Sequence, residues 1–191
     1  GAPAPVGLAT SSIRKWVAEY RPHLLDTQRY TVHSRLSDPW PKVGQAALVD
    51  FATSRRGGMS SLFVKRKTEH RLGFRQTAGY WLSVFTQDPP ALDGKRQPKA
   101  QTEIGSLYCS SEENLYLALA VAASRTMFLW WIINGDIFHV LRSHFGGFPL
   151  DVDGLSKSDR SALVRVGRRL ESRLATAGDH LLWTPYAGAW Y

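Results

Sequence analysis

The segment that most restricts how this chain folds is Leu115–Ile133, LYLALAVAASRTMFLWWII, in which Arg125 is the sole charge. As a helix it measures about 28 Å, close to the thickness of a bilayer core. Arg125, flanked by Ser124 and Thr126, falls inside it, where a charge in lipid is costly. The segment therefore reads as a helix buried in a globular core. Ser110 or Ser111 supplies an N-cap, and Glu112 and Glu113 suit the positive end of the helix dipole. Asn134-Gly135 ends it, with Gly135 expected in a left-handed backbone that glycine adopts without steric cost.

A helix that is apolar all round needs partners on several sides. Short alternating or aromatic runs supply strands at Arg29–Leu36, Ala78–Phe85, Gly105–Ser111 and Ile137–Leu141. Ile13–Leu24 reads as a helix with Trp16 and Tyr20 on one face, and Gln45–Thr53 fits strand or helix. Residues 87–102 hold three Pro and one Gly and read as a loop. Ser156–Leu174 is an amphipathic helix, with Leu163, Val166, Leu170 and Leu174 on one side and Arg on the other. The expected fold class is α+β: a mixed sheet packed on one long central helix, followed by a C-terminal amphipathic helix. Residues 1–10 are expected to form a loose tail and 11–191 a single domain, a fragment of a larger enzyme.

Composition narrows the partners. Lys and Arg number 24 against 16 acids, a net charge of +8, and seventeen of the 24 cations are Arg. Arg favours bidentate contacts to phosphate and guanine. The lone cysteine, Cys109, excludes an internal disulfide framework and a Cys-based zinc site, and fits a reducing cytoplasm. The amino-terminal residues lack the basic and apolar regions of a signal peptide.

The densest cation cluster is Lys65-Arg66-Lys67, with Arg55, Arg56, His70, Arg71 and Arg75 nearby and Phe63 and Phe74 interleaved. Such a stretch suits phosphate neutralisation, or else a solvated face. Asp88-Pro89-Pro90-Ala91 has the outline of the Asn/Asp-Pro-Pro-aromatic motif of amino-methyltransferases. Ala91 stands where the stacking ring belongs, so it reads as a proline turn. His139 and His144, with Asp136, Asp151 and Asp153, allow a small metal-dependent nuclease or hydrolase, though not at a recognised ligand spacing. No nucleophile elbow or phosphate loop occurs. The chain is thus not expected to be an enzyme on its own. Phe128, Trp130 and Trp131 are expected in the core.

Ser106–Leu150 resembles the target-recognition region that follows the catalytic domain in adenine-specific DNA methyltransferases of restriction-modification systems, including fused methylase–endonucleases. Ser106-Leu107-Tyr108 resembles the strand before the helix. Leu117–Ala123 resembles the helix leading to a Leu-Asn-Ser stretch, here Ala123-Ser124 without the Asn. Phe128-Leu129-Trp130-Trp131 resembles the aromatic run that follows. Gly135-Asp136-Ile137-Phe138-His139-Val140 and Phe148-Pro149-Leu150 resemble the closing G-D-G-F-H-V and F-P-L/I-P patterns. Gly79–Phe85 with Pro89-Pro90 resembles the aromatic strand and proline pair upstream. Arg142-Ser143-His144 departs from the usual Lys/Arg-Asp.

The resemblance implies a module that recognises double-stranded DNA. Catalysis and S-adenosylmethionine belong to another domain or a partner subunit, with no cofactor in this chain. On that basis Arg55, Arg56, Lys65, Arg66 and Lys67 are expected to hold phosphates. Arg71, Arg75, Gln76, His139 and Arg142 are expected to reach base edges or grooves. The rivals are the metal-dependent hydrolase using His139 and His144, and a protein–protein adaptor docking through its Trp-rich tail.

Overall fold

The computed structural model describes residues 8–11, 19, 22, 28–33, 41–54, 58–78, 81–93, 95, 97–98, 100–176, 185–186 and 189–190. The fold is α+β. Its centre is a four-stranded sheet built from β3 (Phe63–Val64), β4 (Arg71–Arg75), β5 (Val84–Phe85) and β7 (Ile104–Cys109), ordered β3-β7-β4-β5. Every pairing in it is antiparallel, so the sheet is not mixed as expected. The eight residues between β4 and β5 suffice for an antiparallel pair, which needs no crossover helix. Two smaller sheets are also antiparallel. One pairs β1 (Leu8–Ser11) with β2 (Tyr30–His33), so residues 8–10 of the expected tail lie in a strand. The other orders β6 (Leu92–Asp93), β9 (Ala189–Trp190) and β8 (Pro185–Tyr186) as β6-β9-β8. The expected helix Ile13–Leu24 falls almost wholly outside the described residues.

Gln45–Thr53 resolves as helical: a 3-10 turn at Ala46–Leu48 runs into α1 (Val49–Thr53). The central apolar segment is two helices, α2 (Glu112–Ala122) and α3 (Arg125–Asn134), bent by 69°. Arg125 explains the break. In a continuous helix it would sit three, four and seven residues after Ala122, Val121 and Ala118, all buried, and so on the core face. Ending α2 at Ala122 puts Arg125 and Thr126 in solvent at the start of a new helix. Ser124 caps that helix by accepting the Met127 amide at 3.1 Å, just as Ser111 caps α2 through Asn114 at 3.2 Å. Among the described residues no single helix is long and apolar enough to cross a membrane.

The core lies between the sheet and these helices. Leu72, Phe74, Leu107 and Cys109 come from the strands, Leu117, Leu119, Met127 and Trp131 from the helices, and Phe145 from α4 (Arg142–Gly146). Trp130 and Trp131 are buried as expected, and each indole N–H is used, on the carbonyls of His144 and His139. Phe128 is half-buried and stacks on the exposed Trp81 at 4.4 Å. The amphipathic helix α5 (Lys157–Thr176) lies against α2. The two backbones meet at Gly167, where a Cβ would stand 2.0 Å from the Tyr116 carbonyl oxygen. Arg160 and Arg168 of α5 bind Glu113 and Glu112 of α2, each at 2.8 Å.

Candidate nucleic-acid interface

Strand alternation divides β4 and β7 between two faces. Leu72 and Phe74, with Leu107 and Cys109, enter the core. Arg71, Gly73 and Arg75 project from the other face, opposite Tyr108, Ser106 and Ile104. These three β7 residues, like both arginines, are half-exposed. Phe85, paired with Gly73, lays its ring over that glycine, where a Cβ would meet it at 2.4 Å. The outward face of the sheet therefore presents Arg71, Arg75, Ile104, Ser106 and Tyr108, half-exposed around a buried Gly73–Phe85 contact.

Cations and polar groups gather at both ends of β4. Near its start, Lys65, Arg66 and Lys67 are exposed in the link from β3, which must step over β7 to reach β4. Arg71 sits beside this link and is held rigidly. Its Nη1 meets Asp88 at 2.8 Å, and its Nε donates to the Ser106 hydroxyl at 2.8 Å. The carboxylate of the proline turn thus orients an arginine on the sheet. Arg75 lies about 13 Å further along the strand. Gln76 follows, exposed, and its backbone carbonyl accepts the Val140 amide at 2.8 Å.

That last bond joins β4 to the segment after α3. Ile137–Leu141 is not the expected strand: a single bridge pairs His139 with Thr77. The rest is a turn organised by Asp136, whose Oδ1 accepts the Phe138 and His139 amides at 2.9 and 2.6 Å. Its Oδ2 meets His139 Nδ1 at 2.6 Å. Desolvation pushes the Asp136 carboxyl upward, but the His139 ring and the two amides outweigh it and hold the group well below the usual carboxylate range. The carboxylate has taken up the amides that a strand would have paired.

Gly135 is not left-handed either: its φ is −96°, in extended backbone. Glycine is required there because a Cβ would lie 2.7 Å from the Trp131 carbonyl oxygen. The left-handed residue is Ile137, at φ 61°, a strained state for a β-branched side chain. Flanking anchors maintain it. Lys42 Nζ donates to the Gly135 carbonyl, the Ala78 amide donates to Phe138, and Val140 is buried. The turn consequently holds Phe138, His139, Leu141 and Arg142 out in solvent on a fixed frame.

His144 is directed inward. Its Nδ1 accepts the Leu141 amide at 3.0 Å, which requires that nitrogen to be unprotonated. Burial pushes its pKa below the usual histidine value, opposed by Asp136 and assisted by Lys42. Among the described residues no group of three or more His, Cys, Asp and Glu side chains is arranged to hold a metal ion. Cys109 is fully enclosed, and burial pushes its thiol up to about 12.

The structure thus gathers Lys65, Arg66, Lys67 and Arg71 at one end of β4, and Arg75, Gln76 and His139 at the other, with Arg142 one turn further on. Arg55 and Arg56 lie outside the described residues. Sequence reasoning did not place Ser106, Tyr108 or Asp136 in the interface. Ser106 and Tyr108 entered only as part of a strand motif, where their alternate positions put them on one face; Asp136 entered beside His139 and His144 as a metal ligand, and its role in the turn shows only in its amide partners. No family model, no curated protein and no solved structure matches the chain.

Proposed function

We propose that this chain is the sequence-specific DNA-recognition module of an adenine-specific DNA methyltransferase of a cytoplasmic restriction-modification system. It binds duplex DNA, while methyl transfer and S-adenosylmethionine belong to another domain or a partner subunit. The observation that carries this reading is the outward face of β4 and β7, which joins the exposed Lys65–Lys67 link to the Asp136–Arg142 turn. The division of labour follows from geometry. Lys65, Arg66 and Lys67, on an exposed link, suit sequence-independent phosphate contacts. His139 and Arg142, on a turn pinned by the core, suit contacts that depend on base identity, because readout needs fixed donors.

Selection from a randomised duplex library tests this, followed by titration of the selected and scrambled duplexes. A preferred sequence is expected to emerge. Replacing Lys65, Arg66 and Lys67 together by Ala should weaken both duplexes about equally. Arg142→Ala should weaken the selected duplex more than the scrambled one. A chain that binds no duplex, or enriches no sequence, refutes the reading.

A further inference from the structure

The helix α5 sorts its cations by face. Arg160 and the exposed Arg168 reach towards α2 and pair with Glu113 and Glu112, with Arg168 also lying 5.1 Å from the Tyr116 ring centroid. The two acids of α5 are likewise occupied: Asp159 accepts the Ser156 hydroxyl at 2.7 Å, and Glu171 lies beside Tyr116, whose hydroxyl it helps push up to about 12. Opposite the face that Gly167 presses onto α2, the helical repeat places Ser158, Ser161, Ala162, Arg165, Arg169, Ser172, Arg173 and Thr176. This outward face contains no acid. Arg165, Arg169 and Arg173 are exposed, and among the described residues none of them has an ion-pair partner.

We infer that the outward face of α5 is a second DNA-binding site, which grips the phosphate backbone without reading sequence. The inference rests on the DNA-recognition reading above but concerns a surface which that reading does not use. Charge complementarity selects the occupant. The three arginines follow one i, i+4 ridge and repeat about every 6 Å over about 12 Å. Over that length one strand of a duplex presents about four phosphates. The hydroxyls between them are small, so a phosphate chain can approach the helix closely, and Ser is itself a common phosphate donor. A protein surface would need a matching acidic ridge and apolar anchors. On this face Ala162 is small, and the one large apolar side chain, the exposed Val166, stands at its edge beside Arg169 and Arg173, a single group rather than an apolar patch.

The test compares the 191-residue chain with the triple variant Arg165→Gln, Arg169→Gln, Arg173→Gln. Gln keeps helix propensity and the substituted side chains do not touch α2, so thermal unfolding should be unchanged. Binding is titrated between 50 and 200 mM salt on the library-selected duplex and its scrambled counterpart. The triple variant is expected to bind both at least about tenfold more weakly at low salt. Its log–log salt slope should be shallower by up to about 2.7, the release expected for three phosphate contacts. The corresponding triple Lys variant should recover most of the binding. An unchanged affinity and slope in the Gln variant, while the chain still selects its duplex, overturns this site and leaves the recognition reading standing. A loss confined to the selected duplex also overturns it, because the ridge would then read bases. Binding to anionic vesicles but to neither duplex refutes both readings.

Discussion

Gly167→Ala places a methyl group where the backbone of α2 already stands. The new Cβ would lie 2.0 Å from the Tyr116 carbonyl oxygen, 2.7 Å from its carbon and 2.9 Å from its Cα. All three atoms are main chain, so no rotamer change relieves the clash and the helices must separate by more than an ångström. Parting them loosens Leu163, Val164 and Leu170 against the core and strains the Arg160–Glu113 and Arg168–Glu112 pairs. Overpacking of this kind costs about 1–3 kcal/mol, and the upper end applies where backbone is the obstacle. Helix propensity works the other way, since Ala is about 1 kcal/mol better than Gly within a helix. The net expectation is a loss of about 2 kcal/mol, or about 4–8 °C in Tm for a chain of this size. Thermal and urea unfolding, followed by tryptophan fluorescence, measure it. Ser161→Ala, on the outward face of the same helix, is the control and should gain a few tenths of a kcal/mol. If Gly167→Ala is as stable as the parent, or more so, propensity alone governs the position and the close helix crossing is wrong.

Ser124→Ala removes the cap that starts α3 and should cost about 1 kcal/mol in urea unfolding, whereas Thr126→Ala, exposed in the same turn, should cost much less. Gly135→Val drives a side chain into the Trp131 carbonyl and should destabilise by at least about 1 kcal/mol, visible as a lower Tm. His144 has a lowered pKa in the folded state, so folding binds fewer protons there than unfolding does. Its contribution is present above the unfolded value of 6.5 and is lost as pH falls below it towards the folded value. His144→Gln should flatten the stability–pH curve in that range. Cys109, with its thiol raised to about 12, should resist alkylation at pH 8 in the native chain and react at once in denaturant.

Much of the secondary structure was written locally. The caps at Ser111, the acids that follow it, the alternation of β7 and the amphipathic period of α5 depend on near neighbours, and neighbours are visible in a sequence. The break between α2 and α3 was less visible, although its cause was in plain sight. Arg125 was enough to reject a membrane span, but composition does not say whether a charge in an apolar segment is tolerated or expelled. The packing of Ala118, Val121 and Ala122 against the sheet decides that, by making a continuous helix carry Arg125 inward.

The candidate interface divides in the same way. Sequence alone determined that cations cluster at residues 65–67 and that a glycine must follow α3. Tertiary structure decided why Gly135 is needed: the closeness of the Trp131 carbonyl, not a left-handed turn. It also decided that Asp136 captures two amides, and that Asp88 and Ser106 fix Arg71 on the sheet. In each case the partner is remote in sequence or set by a backbone bend. Local propensity therefore specified the elements whose contacts are near neighbours, while long-range contact broke the central helix, made Ile137–Leu141 a turn and decided which side chains are held out to solvent.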